Sequence, residues 1–338
     1  MNKQPHFLAP YVGFPSFFHA PIIDADQIEE GMAVVAGVPM DMGIALTRPG
    51  TRYGPRAIRE ASLFYRAVQD AGPDRIAVNV DTKIAEQLKD PPNLADIGDL
   101  NIYPQDLMRT TESVSSGVRK IVKRGGVPVV LGGDHYLTYP TFEGFAAGMA
   151  DRKAAPRLGH VHFDSHTDFR NAYADLGQYS HGTCARRLSE NPMIDYKNMA
   201  WVGLNGNIMD ADIYRLCQSQ HLKMITSNDI RDRGIRDAIQ EAVEVAADGT
   251  DAIYVSIDID VVDSAFAPGT GVPVFEGISA RDFLEAAQVL STYDVIAAID
   301  LVEVSPPFDP TGRTAYLAAN ALLALLARYL FDAIDLEQ

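Results

Sequence analysis

Short apolar runs recur along the whole chain, and in most of them apolar residues occupy both alternating sets of positions rather than every second position only. The runs cover residues 33–38, 127–131, 158–163, 200–204, 222–225, 252–257 and 295–302. Strands that are apolar on both faces are typical of a parallel sheet covered by helices on each side. Segments with helical character separate several of these runs, at residues 57–67, 107–123, 211–220, 235–247 and 280–290. The alternation predicts a three-layer α/β/α fold with a central, mainly parallel sheet.

The chain has 338 residues and no internal repeat or Ser/Gly-rich linker, so we expect residues 31–338 to form a single domain. Residues 1–30 are rich in Pro and Phe and are predicted to form an N-terminal arm that lies on the body or on a neighbouring subunit. The most apolar segment, residues 316–330, contains Asn320 and Arg328 and is too short to span a bilayer. We expect it to form a buried terminal helix.

The formal net charge of -16 argues against a nucleic-acid partner, because phosphate backbones are bound by clustered Lys and Arg. An acidic chain is compatible with a cationic substrate. The two cysteines, Cys184 and Cys217, are too few for a disulfide framework or a thiolate zinc site. This low cysteine content indicates a reducing cytoplasm, which is the location that we expect. The N-terminus lacks the uninterrupted apolar stretch of a secretory signal.

Two of the predicted strands end in clusters of ionisable residues. Asp164, His166 and Asp168 follow the third apolar run, and in an extended chain they project to one side because the side-chain period is two. The alternative is a solvated strand end whose carboxylates cap the next helix. Asp258 and Asp260 end the sixth run. Two buried carboxylates so close together repel each other unless a cation lies between them, although one protonated Asp beside an exposed one is the alternative.

A third segment, Gly132-Gly133-Asp134-His135, follows the second apolar run. Its glycines let the backbone turn tightly and bring His135 to the same edge of the sheet, with a core histidine as the alternative. Together the three segments offer two imidazoles and four carboxylates, which suit two divalent ions such as Mn²⁺ better than zinc bound by thiolates. Two such ions lower the pKa of a shared water molecule towards neutrality, which indicates a hydrolase.

The three segments resemble those of the ureohydrolases, the family that contains arginase, agmatinase and guanidinobutyrase. Further matching segments are residues 37–39, 48–59, 266–271 and 300–304. The resemblance covers most of the chain and implies an arginase-like fold with one catalytic domain at residues 31–338. It also implies a small guanidino substrate, an agmatinase-like reaction that releases urea and an amine, and a dinuclear manganese site. The implied metal ligands are His135, Asp164, His166, Asp168, Asp258 and Asp260.

The resemblance also implies roles for residues around the metal ions. Asp168 orients the attacking hydroxide and takes up its proton. Glu303 receives the guanidinium group, with an ion pair to a neighbouring Arg as the alternative. His181 shuttles protons or contacts the substrate, with a surface-loop histidine as the alternative. Asn205 and Thr270 are expected to line the substrate pocket.

Three positions depart from the agmatinase pattern: Ser165, Cys184 and Asn205. If the loops around them close the pocket, the substrate is a small guanidine such as guanidine, methylguanidine or metformin, and the metal could be nickel. Agmatine is otherwise the default substrate, and guanidinoalkanoates are the alternative. Arg186 and Arg187 slightly favour a carboxylate tail on the substrate, unless they face outwards on a helix.

Two other functions are compatible with the same residues. A hydrolase of formimino groups or amides keeps the metals but yields formamide or a carboxylate instead of urea. A non-catalytic subunit is disfavoured because all six candidate ligands and Glu303 are retained. Because family members commonly form trimers or hexamers, we expect a homo-oligomer, with neither nucleic acid nor membrane as a partner.

Overall fold

The computed structural model describes residues 13–41, 48–64, 76–78, 85–173, 177–206 and 209–334. In chain order the strands are β1 (Ala33–Val38), β2 (Ile76–Val78), β3 (Ala85–Leu88), β4 (Leu94–Asp99), β5 (Val127–Gly132), β6 (Leu158–Phe163), β7 (Ile194–Leu204), β8 (Lys223–Thr226), β9 (Ala252–Asp258), β10 (Ile296–Val302) and β11 (Phe331–Ile334). The helices are α1 (Gly54–Ser62), α2 (Leu107–Lys123), α3 (Thr138–Arg152), α4 (Cys184–Leu188), α5 (Ala211–Ser219), α6 (Ser227–Arg233), α7 (Ile235–Ala247), α8 (Ala280–Leu290), α9 (Arg313–Leu325) and α10 (Ala327–Leu330).

Eight strands form one sheet in the order β4-β1-β5-β10-β9-β6-β7-β8, and every neighbouring pair is parallel. This confirms the predicted parallel sheet. Strands β5, β10, β9 and β6 lie side by side in its centre, so their carboxyl ends meet at one edge. Strands β2, β3 and β11 form a small antiparallel sheet.

Helices cover both faces of the large sheet. On one face α1, α9, α8 and α7 form a row, and on the other face α2 packs against α3 and both contact the sheet. Strand β9 explains why such a run is apolar on both faces. Ile253, Val255 and Ile257 join the core under the first layer of helices, whereas Ala252 and Tyr254 join the core under the second. The three predicted layers are confirmed.

Several predicted elements have different ends in the structure. Strand β7 already begins at Ile194, and α1 begins at Gly54 because Pro55 fits the first turn of a helix. Residues 65–67 of the predicted first helix lie outside the described residues. The terminal helix begins at Arg313 and is divided into α9 and α10. Strand β4, helix α3 and the small sheet were not predicted.

The described part of the predicted N-terminal arm lies on the same chain. Phe17 and Phe18 are buried, and the Phe17 N–H donates to Asp96 Oδ2 at 2.9 Å. Ile22 forms a parallel bridge with Asp96 in the edge strand β4. Residues 1–12 lie outside the described residues, and the division at residue 30 stays a prediction. Among the described residues, no helix has the length and apolar character needed to cross a membrane.

Candidate metal centre

Four ionisable residues stand at the ends of the four central strands. His135 lies shortly after β5, Asp164 follows β6, Asp258 is the last residue of β9 and Glu303 follows β10. All four are buried. Because these strands are parallel and lie next to one another, their carboxyl ends bring the four side chains together.

His135 is at the middle of the first cluster of potential metal ligands. Its Nδ1 lies 3.3 Å from Asp164 Oδ2, 3.0 Å from Asp168 Oδ2 and 3.0 Å from Asp258 Oδ2. None of these contacts has the geometry of a hydrogen bond, so Nδ1 is a buried polar atom without a hydrogen-bond partner among the described residues. One nitrogen and three oxygens converge here, as ligands do around a cation.

The second cluster consists of Asp164, His166 and Asp260. His166 Nδ1 lies 3.2 Å from Asp164 Oδ1 and 3.2 Å from Asp260 Oδ2. Asp164 therefore offers one oxygen to each cluster. The structure brings together all six residues that were named as metal ligands from the sequence.

The two clusters contain more buried carboxylates than their imidazoles can balance. Burial raises the pKa of Asp258 well above its usual value, and the charges of Asp260 and Asp164 raise it further. Burial also raises the pKa of Asp260 to about 6, although the charge of His166 lowers it. Burial disfavours the charged form of Asp164 too, but contacts with imidazoles hold its pKa well below the usual value. Divalent cations would remove the repulsion, so these residues fit a pair of metal ions.

His162 belongs to this centre although the sequence did not single it out. Its ring stacks on His135 with 4.9 Å between the centroids, and its Nε2 lies 3.1 Å from Asp164 Oδ2. On the other side, His162 Nδ1 lies 3.1 Å from His160 Nε2, and His160 Nδ1 lies 3.2 Å from the carbonyl oxygen of Tyr254. The signal was the period of two that puts His160, His162 and Asp164 on one face. These contacts orient the Asp164 carboxylate.

A second buried hydrogen-bond network contacts His135 on the side of the ring away from the carboxylates. Its Nε2 lies 3.1 Å from Ser256 Oγ, and that hydroxyl donates to Asp300 Oδ1 at 2.8 Å. Thr138 Oγ1 donates to the other oxygen of Asp300 at 2.8 Å, and the Tyr254 hydroxyl donates to the same oxygen. Contacts of this kind at the far nitrogen fix the ring of a metal-binding histidine. The network leaves Nδ1 as the nitrogen that faces the carboxylates.

Glu303 and Asp168 both have a left-handed backbone, with φ values of 63° and 45°. This conformation is strained for residues other than glycine and clusters at functional sites. Glu303 Oε1 accepts a hydrogen bond from the His135 backbone N–H at 2.8 Å. Burial, followed by the charges of Asp134 and Asp258, raises the pKa of Glu303 well above its usual value. A cationic ligand beside its second oxygen would stabilise the charged form.

A cavity of about 550 Å³ opens over the two clusters. Asp168, Glu303 and His181 line it, as does Asn205, whose Nδ2 donates to the Phe275 carbonyl oxygen at 2.6 Å. Pockets of this size hold drug-sized ligands. The cavity therefore has room for a substrate tail beyond a guanidinium group.

Thr270 does not meet the expectation that it lines the pocket. It is not among the described residues around the cavity. Its side chain is fully buried, and its carbonyl oxygen accepts from Arg48 Nε at 3.0 Å. The Thr270 side chain therefore lies in the interior, which the sequence alone did not reveal, whereas Val272 of the same loop lines the cavity.

Two residues that depart from the agmatinase pattern contact acidic residues of the centre. Ser165 Oγ donates to the backbone oxygen of Asp260 at 2.7 Å. Cys184 Sγ lies 3.6 Å from Asp168 Oδ2. Burial raises the pKa of the Cys184 thiol, so this side chain is a weak hydrogen-bond donor rather than a nucleophile.

Arg186 and Arg187 do not line the cavity. Arg186 Nη1 donates to the Tyr196 hydroxyl at 3.1 Å. Arg187 donates to Gln178 Oε1 at 3.1 Å and to Asn171 Oδ1 at 2.7 Å. The slight preference for a carboxylate tail that the sequence suggested through these two arginines is therefore not supported by their positions.

Comparisons with known proteins agree with this geometry. The arginase family model matches residues 32–327. The mitochondrial guanidino acid hydrolase of Homo sapiens is 34% identical over 324 residues, which cover 96% of this chain and 85% of that protein. The mitochondrial agmatinase of Gallus gallus is 32% identical over 325 residues, which cover 95% of this chain and 87% of that protein.

Similarity extends to solved structures. Proclavaminate amidinohydrolase from Streptomyces clavuligerus superposes with a TM-score of 0.78 at 30% identity, and the match covers 95% of this chain and 99% of that one. The family match spans well over half of the chain. The chain therefore belongs to the arginase family and is a metal-dependent hydrolase of guanidino compounds.

Proposed function

We propose that this chain uses water to cleave a carbon–nitrogen bond of a small guanidino compound, releasing urea and an amine, with two manganese ions in its centre. The observation that carries the proposal is the position of His135 Nδ1, which lies 3.0 to 3.3 Å from three carboxylate oxygens. Among the described residues this nitrogen has no hydrogen-bond partner. Glu303 lines the cavity over the same centre, so a place for cations adjoins a place for a guanidinium group.

The donor set supports manganese. The two clusters offer carboxylate oxygens and imidazole nitrogens, and the buried thiol of Cys184 belongs to neither. Donors of this kind suit Mn²⁺, with Ni²⁺ as the alternative. A pair of divalent ions bound there supplies Lewis acidity and brings the pKa of a water molecule towards neutrality.

The residues of the chain itself bind the substrate and move the protons. Glu303 has one oxygen that the His135 amide does not use, and this oxygen accepts N–H groups of the planar guanidinium. Asp168 lies beside His135 and takes up the proton of the attacking water. His181 lines the cavity, and its ring forms no hydrogen bond with any described residue, so it is free to protonate the leaving amine.

Metal content and urea release test the proposal together. The purified full-length chain is stripped with a chelator, reloaded with Mn²⁺ or Ni²⁺, and analysed for bound metal by mass spectrometry. Urea is then measured from agmatine, 4-guanidinobutyrate, 3-guanidinopropionate, guanidine and metformin. We expect two ions per chain and urea from at least one compound, with the higher rate in Mn²⁺.

Asp164→Asn is the sharpest variant because both clusters share this carboxylate. We expect it to lose most of the metal and to lower urea release by roughly 100-fold or more, since even residues behind metal ligands affect affinity on that scale. Asp263→Asn is the matched control, because Asp263 follows Asp260 closely but belongs to neither cluster. Two ions retained by Asp164→Asn, or no urea from any compound with either metal, would contradict the proposal.

A further inference from the structure

The cavity contains a cationic side chain that the proposed reaction does not use. Arg170 is the single Arg or Lys among the described residues that line it, whereas Asp168, Asp258 and Asp260 line its acidic end. Arg170 follows Asp168 by two residues, so the two Cα atoms are at most about 7 Å apart. Arg170 therefore lines the same cavity as these acidic residues, and its Cα lies within the length of a small substrate from the Cα of Asp168.

Arg170 is held in place by its backbone and by an aromatic ring. Its N–H donates to the Gly182 carbonyl oxygen at 3.3 Å, and its guanidinium carbon lies 5.2 Å from the centroid of the Tyr173 ring. The side chain is half-buried, yet it forms no ion pair or hydrogen bond with any residue that the structure describes. A partly desolvated cation of this kind lacks the anion that would compensate its lost hydration.

The neighbouring arginines differ because the protein itself provides their partners. Arg186 donates to Tyr196, and Arg187 donates to Gln178 and Asn171. Both lie outside the cavity wall. The guanidinium of Arg170 therefore keeps its N–H donors for a molecule inside the cavity.

We propose that Arg170 binds a carboxylate at the tail of the substrate, so that this enzyme acts on guanidino acids rather than on agmatine. The inference rests on the proposed hydrolysis of guanidino compounds and adds the charge of the substrate tail. Glu303 binds the guanidinium at one end, and Arg170 pairs with the carboxylate through two parallel N–H···O bonds at the other.

A cationic tail, as in agmatine, would meet Arg170 as a like charge. The names of the relatives do not decide between the two tails, because they include a guanidino acid hydrolase and an agmatinase. The position of Arg170 in the cavity wall is what favours the acid.

Three substrates of similar length test the proposal on the manganese-loaded full chain. They are 4-guanidinobutyrate with an anionic tail, n-butylguanidine with an uncharged tail and agmatine with a cationic tail. We expect kcat/KM, measured from urea release, to fall in that order. The first two should differ by about tenfold or more, which is the value of one charge-assisted pair.

Arg170→Met keeps an aliphatic side chain beside Tyr173 and removes the charge. We expect it to lower kcat/KM for 4-guanidinobutyrate by about 10- to 100-fold, mainly through KM, because the tail lies away from the reacting bond. The value for n-butylguanidine should not change, and the value for agmatine should rise. Arg170→Lys retains the charge and should recover part of the loss. Arg186→Met, which removes an arginine outside the cavity, is the matched control.

A binding measurement separates recognition of the tail from the chemical step. The amine product of 4-guanidinobutyrate is 4-aminobutyrate, which carries the same carboxylate and is not hydrolysed. Calorimetric titration of this compound into the metal-loaded enzyme should give a higher Kd for Arg170→Met than for the wild type.

An equal loss of kcat/KM for all three substrates would give Arg170 a structural role and overturn the proposal. Unchanged ratios between the three values, with an unchanged Kd for 4-aminobutyrate, would overturn it as well. A wild-type enzyme that releases no urea even from n-butylguanidine would instead count against the proposed function. In that case the titration still decides whether Arg170 binds a carboxylate.

Discussion

Glu303 is a buried residue with a strained backbone, and only one of its two carboxylate oxygens accepts a hydrogen bond from the residues that the structure describes. It is buried, its φ is 63°, and the His135 amide occupies one of its two oxygens. A left-handed backbone costs a residue other than glycine roughly 1–2 kcal/mol. Such strain persists where the surrounding structure needs a side chain in one position. The second oxygen is the one available to a guanidinium group.

Glu303→Gln removes the negative charge but keeps an oxygen for the His135 N–H. We expect kcat/KM to fall by about 100-fold or more, because two charge-assisted hydrogen bonds to the guanidinium are lost. Bound metal, measured by mass spectrometry, should stay at the wild-type level. Glu276→Gln is the control, since Glu276 is exposed and has nearly the same backbone conformation, with a φ of 62°. Activity of Glu303→Gln within a few-fold of the wild type would rule out the substrate role.

The six candidate ligands could be named from the sequence because polar residues at the ends of parallel strands gather at one edge. The other residues that form hydrogen bonds with the side chains of these ligands could not be named from the sequence. Ser256 reaches His135 only because β9 and β5 lie close together with β10 between them. Arg170 was passed over for a similar reason, since nothing local distinguishes an arginine whose side chain has no hydrogen-bond or ion-pair partner among the described residues from Arg187, which donates to Gln178 and Asn171.

At the scale of the elements, helix α3 was not predicted because its sequence is adapted to close packing rather than to high helical propensity. Gly144 and Gly148 lie one turn apart and lower the helical propensity of the segment. A Cβ at Gly144 would lie 2.4 Å from the Ser115 carbonyl oxygen, and one at Gly148 would lie 2.5 Å from Val122 Cβ. The glycines thus allow α3 to pack closely on α2. This benefit exists only in the folded chain, so the sequence pattern could not indicate it.

The buried ion pair between Arg59 and Asp96 connects three parts of the chain. Arg59 Nε donates to Asp96 Oδ2 at 2.8 Å and Arg59 Nη2 donates to Asp96 Oδ1 at 2.9 Å. Asp96 also accepts the backbone N–H of Phe17. Helix α1, the edge strand β4 and the N-terminal segment are therefore held by the same carboxylate.

Arg59→Leu should destabilise the fold by about 3–5 kcal/mol, because it leaves the Asp96 carboxylate buried without its cation. The measurement is chemical denaturation at a fixed protein concentration. Arg56→Leu is the control, because Arg56 pairs with Glu60 on the exposed side of the same helix, and its denaturation midpoint should not change. Equal midpoints for Arg59→Leu and the wild type would show that this ion pair does not hold the edge strand.

At the scale of the whole molecule, the parallel sheet and its two helical layers were predictable because apolar runs and helical segments alternate along the chain. The small antiparallel sheet was not predictable, because β11 (Phe331–Ile334) pairs with β3 (Ala85–Leu88), more than 200 residues earlier in the chain. Pairing over such a distance leaves no local pattern. The expected trimer or hexamer and the cytoplasmic location stay predictions.

The candidate ligands come from distant parts of the chain, so the metal site is expected to form late in folding. His135, Asp164 and Asp258 meet only after β5, β6 and β9 have been placed in one sheet, which requires the closure of long loops. A partly folded chain therefore lacks the site, and ions that bind after the folding barrier slow unfolding without changing the refolding rate.

Mn²⁺ at 100 times its Kd contributes about 2.7 kcal/mol per site, which corresponds to about 100-fold slower unfolding. Rapid mixing into and out of urea, with and without Mn²⁺, measures the unfolding and refolding rates. For Asp164→Asn we expect Mn²⁺ to change neither rate. Faster refolding in Mn²⁺ would mean that the site assembles early. The metal ions are thus expected to prolong the lifetime of the native state and to play no part in nucleating it.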